Sequence, residues 1–277
     1  MCRATDLRTA VLAKNDRSAH RLRAELAARA TVLVNLLSSP GSGKTALLEA
    51  ELALARRRGI PVAALTADLA TENDATRLAR AGVPVKQVLT DGLCHLESDM
   101  LRDHLDGWLP AGTRLLFVEN VGNLVCPASY DLGESLRVVL ASVTEGEDKP
   151  LKYPTAFGLA QLVVVTKQDI AAAVEFDQEA FLTNVRQVNP GVEVVHTSAR
   201  RGEGVGRLLD RALAVSHGAA VHQPVMATAL DGHGHRDGRG HGDGHGHDHG
   251  HDHDHDHDHG DEDSHGDGHP LTHEHAH

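Results

Sequence analysis

The stretch TVLVNLLSSPGSGKTALLEAELALARRR, residues 31–58, decides the fold. Its opening run TVLVNLL (31–37) has the length and apolar continuity of a buried strand. SSPGSGKT (38–45) follows, and a helical pattern over 44–58 starts without a spacer. Strand, glycine-rich turn and helix in immediate succession read as a phosphate-binding loop. Gly41 and Gly43 let backbone N–H groups turn inward on phosphate oxygens, and Ser42 and Ala46 belong to the same cradle. Lys44 reaches terminal phosphates, and the Thr45 hydroxyl is placed for Mg²⁺. Ser38 stands where GxxxxGK[ST] usually has its first glycine.

Outward from this loop the chain alternates. Strand-like runs at 60–66, 84–89, 114–119, 136–143, 161–166 and 192–196 are separated mostly by helical stretches at 73–81, 95–108, 177–188 and 203–216, and a helix at 7–27 precedes the first strand. The expected architecture is α/β, a P-loop NTPase-type, mostly parallel sheet with helices on both faces. In such sheets ligands bind beyond the carboxyl ends of the strands. The reading divides the chain into an N-terminal helix (1–29) packed on a P-loop GTPase domain (30–217), a linker (218–230) and a disordered tail (231–277).

The loops after the strands carry the candidate chemistry. LVVVT runs into TKQD (166–169), which approximates the NKxD pattern of guanine-binding proteins with Thr166 in place of Asn. There the Asp169 carboxylate accepts from the guanine N1–H and 2-amino group, and the Lys167 stem packs on the ring. TSA (197–199) after the next strand adds Ser198 and Ala199 to the base site, so GTP is favoured over ATP. Hydrolysis needs a metal-facing carboxylate and an element that senses the γ-phosphate. Asp68 ends PVAALTA, and Glu119 ends LLFV ahead of Asn120, Val121 and Gly122. Either carboxylate serves for Mg²⁺ or for the attacking water, and the Gly122 N–H for the γ-phosphate. Cys94 and His95 are read at the start of the 95–108 helix, whose N-terminus would favour thiolate. Cys126 lies seven residues after Glu119. Two thiolates and an imidazole suit Ni²⁺ or Zn²⁺ rather than Mg²⁺.

The 277 residues carry a formal charge of −12 that is unevenly spread: residues 231–277 hold 13 of the 39 Asp and Glu, 2 of the 27 Lys and Arg, and 16 of the 22 His. The globular part is nearly neutral, which argues against nucleic acid as a partner. Three cysteines, a charged N-terminus and no apolar run near 20 residues lead to the expectation of a cytoplasmic protein without a membrane span. In the tail, GHGDGHGHDHGHDHDHDHDHG (240–260) alternates imidazole with carboxylate. His245, His247, His249, His251, His253, His255, His257 and His259 are its candidate nickel ligands, and at four nitrogens per ion the tail histidines would hold about four ions.

SSPGSGKTALLEAEL, DGLCHLE, LLFVENVGNLVCPASYDLGE, SVTEGEDKPLKYP and TKQD, in this order, resemble the hydrogenase nickel-incorporation GTPases of the HypB family, within the wider HypB/UreG group, over about residues 7–216. The resemblance implies a SIMIBI-class GTPase that dimerises when GTP-bound and delivers nickel to the large subunit of [NiFe] hydrogenase with a partner metallochaperone. It also implies that Cys94, His95 and Cys126 form the family's metal site near the dimer interface and that Asp68 is the switch aspartate. Two departures stand out: the N-terminal CxxCGC-type nickel motif is missing, with Cys2 alone, and Thr66-Ala67 replaces the Glu-Gly that usually precedes Asp68. Lys149 and Lys152 lie in a family-specific stretch without a physical role readable from sequence. A urease-maturation GTPase is disfavoured by VCPASYDLGE and by the CH pair. A nickel storage or detoxification protein is disfavoured by the complete set Lys44, Thr45, Asp68 and Asp169.

Overall fold

The structure, a computed structural model, describes residues 2–68, 73–90 and 92–227, with side chains from 9–67, 74–90 and 92–227. The side chain of Asp68 and the tail histidines from His245 to His259 therefore lie outside the described residues. Strands β1 (Val32–Ser38), β2 (Val62–Asp68), β3 (Val85–Leu89), β4 (Leu115–Glu119), β5 (Leu136–Ser142), β6 (Leu162–Thr166) and β7 (Val194–His196) form one sheet in the order β3-β2-β4-β1-β5-β6-β7. Every pairing is parallel. Parallel strands covered on both faces need apolar side chains on both. LLFV in β4 and LVVV in β6 are accordingly buried at every residue.

Eight helices frame the sheet among the described residues: α1 (Cys2–Ala28), α2 (Lys44–Arg57), α3 (Asn73–Ala79), α4 (Ser98–Leu105), α5 (Lys149–Lys152), α6 (Pro154–Gly158), α7 (Gln178–Val188) and α8 (Arg207–Ser216). The two-residue period of β1 sorts its side chains between them. Val34 and Leu36 pack with Leu48 and Leu52 of α2 and Leu208 and Leu209 of α8. Leu33 turns to the opposite face, in the cluster holding Leu22 and Leu26 of α1 and Leu101 and Leu105 of α4. Leu37 joins a third cluster with Phe157 of α6 and Phe181 and Val185 of α7. Each such fully buried Leu or Phe contributes about 1.5–3 kcal/mol.

The strands and most helices fall where the sequence pattern places them, with two differences. The helix expected at 95–108 spans only Ser98–Leu105, because Glu97 is extended (φ −105°, ψ 154°). Cys94 and His95 consequently sit in the loop before α4, and the expectation that a helix N-terminus favours their thiolate is corrected. The short helices α5 and α6 have no counterpart in the reading. Pro150 and Pro154 each start a turn, and Tyr153 between them (φ −124°, ψ 57°) cannot continue a helix ahead of a proline. No helix among the described residues is long and apolar enough to cross a membrane.

Candidate functional site

β1 is the central strand, and its carboxyl end delivers the chain into the loop 39–43. Gly41 (φ 72°) and Gly43 (φ 91°) adopt the left-handed backbone that lets consecutive amides turn to one side. Ser38 is the last residue of the extended strand and does not adopt that conformation, which accounts for a serine in place of the usual glycine. Gly43 caps α2 without a side chain, so the amides at the start of that helix face an open cavity. That cavity, about 500 Å³, is lined by Gly41, Lys44, Thr45, Ala46, Glu119 and Gly122. Size and donors suit a chain of phosphates.

The polar groups at its floor are tightly connected. Lys44 Nζ donates to the Asn120 carbonyl (2.6 Å) and lies 3.7 Å from Glu119 Oε1. The Thr45 hydroxyl donates to the same Glu119 oxygen at 2.6 Å. Burial pushes the Glu119 carboxyl above its ordinary range, against the opposing pull of the Lys44 ammonium and the Thr45 hydroxyl. Its second oxygen is buried without a hydrogen-bond partner among the described residues. A buried carboxylate oxygen beside a threonine hydroxyl fits a hard divalent cation. Gly122 packs against Pro40 of the phosphate loop, where a Cβ would meet Pro40 atoms at 3.3–3.4 Å, so the loop after β4 touches the loop after β1.

A second cavity of about 210 Å³ continues from Gly43 and Ala46 and is lined by Leu47, Thr166, Lys167, Asp169 and Ala199. The Ser198 hydroxyl donates to Asp169 Oδ1 at 2.6 Å, and this bond holds the Asp169 carboxyl below the ordinary range. A half-buried, ionised carboxylate at the rim of a largely apolar slot is the acceptor that a guanine edge requires. Lys167 is held in the left-handed region (φ 61°) and donates to the Gly41 carbonyl at 2.7 Å. The Thr166 hydroxyl donates to the Ser42 carbonyl. The departure from Asn thus keeps a side-chain bond from the end of β6 to the phosphate loop.

Sequence reasoning missed a third brace. Lys149 Nζ is buried, donates to Ser39 Oγ (2.6 Å) and Glu145 Oε1 (2.8 Å), and stands 4.8 Å from the centre of the Tyr153 ring. It supports the phosphate loop from behind. The only signal in the sequence is the i,i+4 spacing of Glu145 and Lys149, which also occurs in Asp148 and Lys152, an exposed pair at 2.7 Å.

The cysteines lie on the loops after β3 and β4. The Cys94 and Cys126 thiols are neighbours, and the interaction with Cys126 pushes the Cys94 thiol above its ordinary range. Cys94 Sγ is 3.7 Å from His95 Nδ1. The His95 ring stacks at 3.9 Å on Tyr130, and its Nε2 is buried, without a hydrogen bond among the described residues, 3.6 Å from Glu97 Oε1. Burial lowers the His95 pKa and favours the neutral imidazole that binds metals. The structure thus brings Cys94 to both His95 and Cys126. No group of three metal-binding side chains converges on one point among the described residues.

The model of the CobW/HypB/UreG nucleotide-binding domain matches residues 32–196, the span from β1 to the end of β7. Hydrogenase maturation factor HypB of Azotobacter vinelandii is 48% identical over 199 residues, 72% of this chain and 65% of that protein. The factor of the same name from Escherichia coli (strain K12) is 46% identical over 200 residues, 72% of this chain and 69% of that protein. The crystal structure of HypB from Helicobacter pylori in complex with nickel superposes with a TM-score of 0.69 at 34% identity, covering 76% of this chain and 99% of that one. The chain thus spans about two thirds of the length of the curated relatives it matches, and its matched region includes the phosphate loop, the Glu119 loop and TKQD. A nucleotide-binding domain of this sequence and this fold makes the chain a member of the CobW/HypB/UreG family.

Proposed function

We propose that the protein hydrolyses GTP and inserts nickel during maturation of the large subunit of [NiFe] hydrogenase, acting as a GTP-bound homodimer with a partner metallochaperone. One observation carries the reading: the loop that starts at Glu119, which bonds to Thr45 in the phosphate cavity, continues seven residues on to Cys126, a free thiol beside that of Cys94. Nucleotide chemistry and one of the two soft-metal thiols share one loop. The hydrogenase role rests on the names of the relatives, and nickel as cargo on the Helicobacter pylori complex.

In this reading the amides of 41–45 and the Lys44 ammonium hold the phosphates, and Asp169 with Lys167, Ser198 and Ala199 selects guanine. Mg²⁺ would be held by Thr45 with Glu119, and when bound it would neutralise phosphate charge. The hydrogen bond from Thr45 supports Glu119 as the carboxylate on the metal side, with Asp68, at the end of β2, as the one that orients the attacking water. Gly122, packed on Pro40, reports the γ-phosphate to the Cys126 segment. Cys94, His95 and Cys126 take Ni²⁺, or Zn²⁺ in its place, and the tail histidines keep a cytoplasmic nickel reserve. The test is genetic and chemical together. A strain lacking the gene should make hydrogenase large subunit without nickel, and the parent gene should restore it while a Cys126→Ala version does not. Full restoration by Cys126→Ala would remove the internal thiols from nickel delivery.

A further inference from the structure

The helix α1 precedes the matched nucleotide-binding domain, which starts at residue 32, yet one stripe of it is fastened to both cysteine-bearing segments. Asn15, in its middle, is 4% exposed. Its Oδ1 accepts from the Ser98 backbone N–H and from Ser98 Oγ, both at 2.9 Å, and Ser98 Oγ also reaches the Asn15 carbonyl oxygen at 2.8 Å. Its Nδ2 donates to the Asp131 carbonyl at 2.8 Å. Ser98 lies four residues after Cys94, and Asp131 five after Cys126. One side chain therefore bridges the ends of the two loops that present the thiols.

The same stripe repeats the attachment at i+4 and i+8, the spacing that keeps residues on one helix face. At Ala19, Gly133 comes so close that a Cβ would meet the Ala19 carbonyl oxygen at 2.7 Å, and Gly133 needs its left-handed φ of 77° to make the approach. At Arg23, the guanidinium forms two 2.8 Å bonds to the Asp131 carboxylate. From the other side Arg137 donates to the Ala128 and Tyr130 carbonyls, each at 3.0 Å, while ion-paired to Glu134 at 2.6 Å. The segment after Cys126, from Ala128 to Gly133, is thus fixed, and Ser98 after the Cys94 loop is fixed to it through Asn15. A buried amide with its carbonyl and amino groups both bonded fixes one geometry, because a shift of either loop leaves a buried polar group unpaired.

We infer that α1 is a clamp that sets the spacing of Cys94 and Cys126, with Asn15 as the positioning residue through which both loops are held for a thiophilic metal. The inference rests on the reading of the two thiols as metal ligands, and its test separates the two ideas. The full chain carrying Cys2→Ser keeps Cys94 and Cys126 as its only thiols. Two probes report on their spacing: phenylarsine oxide, which bridges neighbouring thiols without needing nickel, and the thiolate-to-nickel charge-transfer absorption, to which the tail histidines do not contribute. Asn15→Ala should weaken both by about ten- to a hundredfold, the usual cost of losing an orienting partner behind a metal ligand. Ser98→Ala, which leaves the Ser98 N–H bond in place, should weaken both less. Leu22→Ala removes a buried apolar side chain from the same helix but none of the hydrogen bonds to either loop, so it should lower stability while leaving both affinities at the parent value. An unchanged arsenical affinity in Asn15→Ala and Ser98→Ala, or an equal loss in Leu22→Ala, would overturn the clamp. A parent that binds the arsenical yet shows no nickel band refutes the nickel-ligand reading, and the arsenical series still decides the clamp.

Discussion

At the nucleotide pocket, Gly41, Gly43, Lys44 and Thr45 come from a few consecutive residues between one strand and one helix. At the cysteine pair, Cys94 and Cys126 come from loops after two different strands and are registered by a third element, α1, far away in the chain. The phosphate cradle takes its shape from local backbone conformation, with Thr166, Lys167 and Lys149 bracing it from outside, whereas the spacing of the second site is set by long-range side-chain bonds alone. A local site survives damage elsewhere in the fold, and its residues fail one at a time. A site assembled across elements fails when a residue that touches no ligand is lost.

The largest expected effect sharpens this contrast. Lys44→Ala removes the charge directed at the terminal phosphates and should reduce GTP hydrolysis on the order of 10³-fold. Arsenical binding by Cys94 and Cys126 should stay near the parent value, since the bonds from Asn15, Arg23 and Arg137 still hold those loops when the Lys44 bond to the Asn120 carbonyl is lost. Steady-state turnover and thiol titration on the same preparation check both halves. A matching loss at the thiols would show that the two sites are one cooperative unit.

Asp169→Asn is expected to have the next largest effect. Asn keeps an Oδ1 that can accept the Ser198 hydroxyl, so the loop holds its position while one acceptor facing the base becomes a donor. GTP affinity should fall about a hundredfold, and xanthosine triphosphate, whose 2-oxo group accepts a hydrogen bond, should gain. Competition binding with the two nucleotides reads the swap directly. Equal GTP affinity in the variant and the parent would take Asp169 out of base recognition.

The same contrast explains what the sequence reveals. The five inner strands are visible because parallel strands covered on both faces leave largely apolar runs, and α2, α7 and α8 because their apolar faces recur at helical spacing. Gly41, Lys44, Thr45 and the TKQD segment are visible because each acts through its own backbone position. Asn15 and Lys149 are not, because an asparagine in a helix and a lysine beside prolines carry no signal until the fold brings Ser98 and Asp131, or Ser39, to them. The late start of α4 was missed because the apolar spacing of Leu96, Met100 and Leu105 continues past the extended Glu97. Thr166 looks like a defect in a motif, and its hydroxyl bond to Ser42 shows it to be a brace.

The smallest expected effect on turnover qualifies the contrast, since α2 has a long-range tie of its own. Glu51, fully buried two turns after Lys44, accepts from the Gly206 N–H (2.9 Å) and the Leu209 N–H (3.3 Å) at the start of α8. Burial outweighs those two bonds and raises its pKa from 4.5 to about 7. The folded protein therefore holds this proton more tightly than the unfolded chain does. The stabilisation is complete below about pH 4.5 and is lost as pH rises through about 7, a change on the order of 3 kcal/mol. Glu51→Gln imitates the protonated carboxyl and should remove this dependence. Urea unfolding should give similar stabilities for parent and variant near pH 5, and a more stable variant near pH 8. GTP hydrolysis should change little, because the phosphate loop is separately held by Thr166, Lys167 and Lys149. If the variant loses turnover in step with its stability curve, the phosphate loop depends on α8 as the cysteine pair depends on α1, and the difference between the two sites is one of degree.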